Sequence, residues 1–244
     1  MKRRVLLLLF AALLALAAPV RADVFLLGFT GFDYEDVDND AVEPDVDGTT
    51  YLNVGEGYKA VGLVTSFGPL LSGYVDQSEY EYTFYMFNLT VSSHNWDPFF
   101  QFLEVQFQNN GRGRYFEDGK AGCVACVPGT PGTYGINPPN ATAPSTFTDG
   151  TLALGGDIDN FALFYDYSAA QGGFSGLMTQ DEGAFLTYVP AAQRGGWTIG
   201  ALAGRPNLTV PQGYDNQISG SCYIPDPVSV SHKTWGALKA LYRR

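Results

Sequence analysis

Apolar side chains return at every second position over much of this chain, and that rhythm predicts strands. From Tyr80 to Val91 one set reads Tyr80, Tyr82, Phe84 and Met86, while the alternate set holds Tyr85, Phe87, Leu89 and Val91. Both sets are largely apolar, which predicts a long central strand covered on both faces. In Phe99–Gln108 the apolar Phe99, Leu103, Val105 and Phe107 alternate with Glu104, Gln106 and Gln108, so one face is wet. Asn160–Tyr167 repeats the device. Shorter runs at Val24–Phe29, Tyr58–Thr65, Thr151–Leu154, Ala184–Val189, Trp197–Leu202 and Gln217–Tyr223 also read as strands, and Gly155–Asn160 reads as a turn. Roughly nine to twelve strands without a helical period predict an all-β fold, an antiparallel β-sandwich of jelly-roll or Ig-like type. The rival is an outer-membrane barrel, which needs about eight strands of nine to eleven residues with apolar alternation toward lipid. Only the Tyr80 run is that long.

Four segments follow from the composition shifts. Lys2, Arg3 and Arg4 precede an apolar stretch from Val5 to Ala18, and Val20-Arg21-Ala22 supplies small residues for a cut before Asp23. Residues 1–22 are therefore expected to be an export signal, and the mature chain to have no transmembrane helix. Residues 23–224 are the expected β domain, with a Pro- and Gly-rich subdomain joint at 127–146. Residues 225–233 read as a linker and 234–244 as a short C-terminal helical tail. In that tail Thr234 is a cap, Trp235, Leu238, Leu241 and Tyr242 share one face, and Lys239, Arg243 and Arg244 suit the helix end.

Charge narrows the partners. Loss of residues 1–22 moves the net charge from −11 to −15, because four bases leave and no acid does. Between Asp23 and His232 the chain has 25 acids and six bases. Such a body repels phosphate backbones, so nucleic acid is excluded as a partner, while divalent cations, basic partners and neutral glycans stay open.

The densest acidic stretch holds Asp33, Glu35, Asp36, Asp38, Asp40, Glu43, Asp45 and Asp47. Asp36, Asp38 and Asp40 place oxygens at every second residue, and Asp45 and Asp47 repeat the pattern. Hard cations take oxygens from loops of this composition, so Asp36, Asp38, Asp40, Asp45 and Asp47 are candidate Ca²⁺ ligands. The spacing is not that of an EF-hand, since the sixth position lacks Gly and the twelfth lacks Glu. A solvated acidic loop is the competing reading.

Cys123, Cys126 and Cys222 leave one thiol over after any single bridge. Cys123-Val-Ala-Cys126 lacks the following helix of a redox motif and the second pair of a zinc site. A structural bridge is expected, within the loop or from it to Cys222.

Catalysis has little to work with. The histidines are His94 and His232, and neither stands in a metal-hydrolase spacing. Carboxylate pairs for glycoside cleavage can be drawn from Glu81 or Glu104 with Asp157 or Asp159, as in any acidic β-protein. No catalytic residue is assigned. Trp96, Trp197 and Tyr214 are candidate ligand-binding aromatics, able to stack on sugar faces if exposed and serving as core if not.

Thr-Trp-Gly-Ala-Leu-Lys-Ala-Leu-Tyr-Arg at 234–243, with Asn137-Pro-Pro-Asn-Ala-Thr and Pro211-Gln-Gly-Tyr-Asp in the body, resembles an uncharacterised family of exported bacterial β-rich proteins that end in such a tail. The resemblance implies a diderm bacterial source and a secreted or cell-surface location, and it carries over no catalytic residue. The expected function is non-catalytic: a structural, assembly or binding role at the cell surface, calcium-stabilised, with self-assembly or a surface glycan as partner. A carbohydrate-binding module and a secreted carbohydrate-active hydrolase are the alternatives.

Overall fold

The computed structural model describes residues 23–36, 52–119, 147–204, 210 and 214–225. The acidic stretch beyond Asp36, Cys123 and Cys126, the joint at 127–146 and the tail at 234–244 lie outside them. Nearly all described residues belong to one compact unit, Val24–Ile224. The other unit, 1–23 and 225–244, is described only at Asp23 and Pro225.

The expected antiparallel β class is what the chain has. Among the described residues nine strands run in order: β1 (Asp23–Asp36), β2 (Gly57–Phe67), β3 (Tyr80–Asp97), β4 (Phe102–Phe107), β5 (Gly111–Gly119), β6 (Thr151–Asp166), β7 (Gln171–Glu182), β8 (Trp197–Gly204) and β9 (Asn216–Pro225). They form one sheet in which β1 pairs with both β2 and β9, and a β2–β3 ladder returns the sheet upon itself. Around this circuit each strand neighbours those next to it in sequence. That is a meander, whereas the expected jelly-roll or Ig-like order needs Greek-key crossings.

β4 and β5 occupy one place in the circuit. β4 pairs with Val91–Asp97 of β3 and with Ala162–Asp166 of β6. β5 pairs with Tyr80–Phe87 of β3 and with Thr151–Ile158 of β6. Both run in the same direction, end to end, and Gln108–Asn110 joins them.

Inward positions fill the ring. Phe29 packs edge-on against Phe84 at 4.8 Å. Phe161 meets Phe107 and Phe174, each at 5.1 Å, with Tyr58 beside them. Met86, Leu89, Leu103, Ile158, Met178 and Trp197 complete a dry core. A second, smaller cluster lies on the outer side of β1–β3, where Tyr34, Val61, Phe147 and Tyr214 pack with Phe32, Leu63 and Tyr85.

Several local expectations change. Gly155–Asp159 is the middle of β6, not a turn, and the backbone of β7 approaches so closely that a Cβ at Gly156 would lie 1.8 Å from the Thr179 carbonyl oxygen. Ala184–Tyr188 is a 3-10 turn, not a strand. Gly183, at φ 105°, ends β7 ahead of it, and Arg194 donates to the carbonyls of Val189 (3.0 Å) and Leu186 (3.1 Å), fixing the turn. β3 runs on through Ser92–Trp96 to Asp97, well past Val91, where the expected strand ends.

Candidate functional site

With the interior filled by side chains, the surface that offers itself is one rim of the ring, built from the β3–β4 and β6–β7 turns. Asp97 closes β3, and its Oδ1 accepts the amides of Phe99 (2.8 Å) and Phe100 (3.1 Å). This brace holds both rings outward, edge to face at 4.8 Å, with Phe99 84% and Phe100 66% exposed. Asp166 does the same for the neighbouring turn by accepting from Ser168 and Ala169. These donors hold its carboxyl below the usual carboxylate range, Ser168 most of all. The Tyr167 amide donates to the Gln101 carbonyl (2.9 Å), so the two turns are tied together.

More aromatic surface extends the rim. The Trp96 indole lies half-buried and edge-on to Tyr167 at 5.4 Å. Phe102 stacks with Phe164 at 6.3 Å, and the Phe164 ring covers Gly173 on β7. One strand further along the same row Leu202 is 72% exposed. Beside it a groove of about 480 Å³ is bounded by Ala169, Ala170, Leu202, Gly204, Gln217 and Ser219.

Of the aromatics singled out in the sequence, the structure brings Trp96 to this rim and leaves the other two elsewhere. Trp197 is 0% exposed and its Nε1 donates to the Gln193 carbonyl (2.5 Å). Tyr214, 5% exposed, packs against Phe32 and Tyr34 in the outer cluster. As placed, neither ring presents a face to solvent. Of the calcium candidates, Asp36 ends β1, and Asp38, Asp40, Asp45 and Asp47 lie outside the described residues. Cys222 is a free thiol, 0% exposed, so it makes no bridge to the Cys123–Cys126 loop. Burial pushes it up to about 12.

Buried charge marks where the circuit closes. Asp33 accepts from the Tyr58 hydroxyl on β2 (2.9 Å) and from the Asn216 amide at the head of β9 (2.8 Å), while its own carbonyl accepts the Asp215 amide (2.9 Å). Full burial, with the charge of Asp215 adding to it, pushes this carboxyl up to about 7 despite those donors. Lys59, behind it on β2, is pushed down to about 8 by burial.

The residues weighed for catalysis are dispersed. His94 is exposed on β3, its Nδ1 3.0 Å from the Leu52 carbonyl. Glu104 faces solvent on β4 between Asn95 and Phe164. Asp157 belongs to an outer network in which Arg112 binds Asp157 (2.6 Å), Asp181 (2.8 Å) and Glu182 (2.6 Å), and Arg114 binds Glu182 (2.8 Å). Among the described residues no helix is long and apolar enough to cross a membrane. Glu104, Gln106, Asp157, Thr179 and Asp181 put polar side chains on the outer surface of the strands, and Phe164, Leu177, Leu202 and Tyr223 put apolar ones there.

Phe99-Phe100 was legible in the sequence only as the start of a strand. The sign that it is a turn was Asp97-Pro98, since a proline after an aspartate favours turn initiation. Set against family models, curated proteins and solved structures, the chain matches none of them.

Proposed function

We propose that the mature chain is a non-catalytic, exported scaffold that assembles with further copies of itself through the Phe99–Phe100 rim, at the cell surface of a diderm bacterium. In this reading opposite walls of the ring meet across a dry core as the two layers of a β-sandwich do, and the acidic stretch at Asp36–Asp47 binds calcium. The observation that carries the assembly role is the pair of exposed phenylalanines held rigidly outward by Asp97. A braced aromatic pair loses little freedom on docking, so its burial is available as binding energy. Knob and groove share one rim, and a two-fold contact requires that of identical partners, since each copy then fills the groove of the other. The rim carboxylates Asp97 and Asp166 both turn back onto amides that follow them in their turns, those of Phe99 and Phe100 and of Ser168 and Ala169, which lessens repulsion between two negative bodies.

Sedimentation velocity tests it. The mature chain should associate as its concentration rises, and Phe99→Ser/Phe100→Ser should remain monomeric; a monomer at every concentration removes the reading. A glycan-binding role is favoured by one further observation, the half-buried Trp96 ring at the same rim. A polysaccharide array on which binding disappears with Trp96→Ala would support that alternative.

A further inference from the structure

Glu81 near the start of β3 and Asp118 near the end of β5 stand directly opposite one another in their ladder. Residues so placed project from the same face, and like charges there repel. Asp118 is only 1% exposed, and neither of its carboxylate oxygens has a hydrogen-bond partner. The Oε2 of Glu81 is buried and unpartnered as well. A third carboxylate, Asp149, is near enough for its charge to act on Asp118 together with that of Glu81.

The segment that carries Asp149 is held in place from both sides. Thr83 Oγ1 donates to the Phe147 carbonyl at 2.7 Å. At Gly150 a Cβ would lie 2.6 Å from the Glu117 carbonyl oxygen and 3.2 Å from the Asp118 Cβ, so only glycine permits the approach. Two carboxylates, Glu81 and Asp118, are thus brought to one buried spot, with the Asp149 segment packed beside them.

We propose that Glu81 and Asp118 are the side-chain core of a divalent-cation site that takes calcium. A buried carboxylate pair needs either a proton or a cation, and an all-oxygen set of carboxylates suits a hard cation. No three side chains among the described residues already converge as a finished metal centre. Backbone carbonyls and water therefore supply the rest of the shell, which calcium accepts because its coordination is irregular, whereas magnesium demands a near-ideal octahedron. Bound there, the ion ties the start of β3 to the end of β5. The site is distinct from the acidic stretch at Asp36–Asp47 and does not depend on the assembly role.

Calorimetry and thermal melting of the mature chain, stripped with a chelator and titrated with CaCl₂, test the site. Calcium should raise the melting temperature by several degrees. Asp118→Asn and Glu81→Gln should each lose one binding event and the share of the rise that goes with it, while Asp38→Asn/Asp40→Asn keeps that event. Glu81→Gln carries the test alone if Asp118→Asn does not fold. An equal rise in wild type and Glu81→Gln overturns the proposal. So does a wild type indifferent to calcium whose Asp118→Asn form is more stable, because a proton then neutralises the pair.

Discussion

Asn88 on β3 and Asn160 on β6 share the same left-handed backbone, φ 56° and 51°, on the two strands that flank the β4–β5 junction. Each is the extra residue in its strand, since the β2–β3 register shifts around Asn88 and the β6–β7 register between Asp159 and Ala162. The Asn160 amide donates to Asn109 Oδ1 in the junction itself (2.8 Å). One inserted residue swaps which parity faces inward. Tyr82, Phe84 and Met86 point to the core before Asn88, and Leu89 and Val91 do so after it.

Asn160 is exposed, so changing it alters backbone strain more than packing. Asn160→Val should destabilise by about 1–2 kcal/mol, because a branched side chain resists positive φ. Asn160→Gly should stay within about 0.5 kcal/mol of the parent. Urea denaturation of both variants checks the pair.

Asp33 makes stability depend on pH in a known direction. Burial raises its carboxyl from 3.8, the ordinary aspartate value, to about 7 in the fold. A group raised in this way favours the fold fully below pH 4, and that contribution is lost as pH rises through 7. The loss is about 4 kcal/mol in total, at 1.36 kcal/mol per pH unit. Asp33→Asn should therefore flatten the fall in stability between pH 4 and 7, read by denaturant midpoints across that range. A slope unchanged by the substitution would show that Asp33 is not the titrating group.

Arg112 holds Asp157, Asp181 and Glu182 together on the outer surface. Arg112→Ala leaves three crowded carboxylates and should cost about 1 kcal/mol at low salt, shrinking as salt screens the repulsion. Glu182, held below the usual carboxylate range by Arg114 and then Arg112, contributes stability that is present near neutrality and is lost as pH falls through its lowered value. Arg112→Lys should restore only part of the loss, because a lysine lacks the fork that binds Asp181 through two nitrogens.

The Cys222 thiol is sealed in the core and should ignore a thiol reagent until the chain unfolds. In a Cys123→Ser/Cys126→Ser background, titration with such a reagent should read no thiol under native conditions and one in denaturant. Rapid native labelling would contradict the burial found here.

The strand class was legible because half-wet strands show their alternation, as Leu103, Val105 and Phe107 do against Glu104 and Gln106. β5 and β7 were hidden because their inward positions include Gly111, Gly113 and Gly176, kept small by neighbouring side chains: a Cβ on Gly113 would lie 2.7 Å from Met178 and one on Gly176 2.9 Å from Phe161. β3 looked apolar on both faces for two reasons that a fixed period cannot separate, the parity swap at Asn88 and the outer cluster around Tyr85. Trp197 and Tyr214 sit among glycines in the sequence, as surface aromatics often do, yet both fill space between elements far apart in the chain. Closure of the circuit could not be read in advance, since it depends on Asp33 meeting Tyr58 and Asn216 across long sequence separations.

Residue-resolved amide hydrogen exchange on the mature chain tests that closure most directly. If β1 and β9 pair as described, their facing amides should be protected as strongly as those of β6 and β7 in the interior of the circuit. Fast exchange along β1 and β9, with protection confined to the remaining ladders, would mean an open sheet with two free edges and would contradict the account.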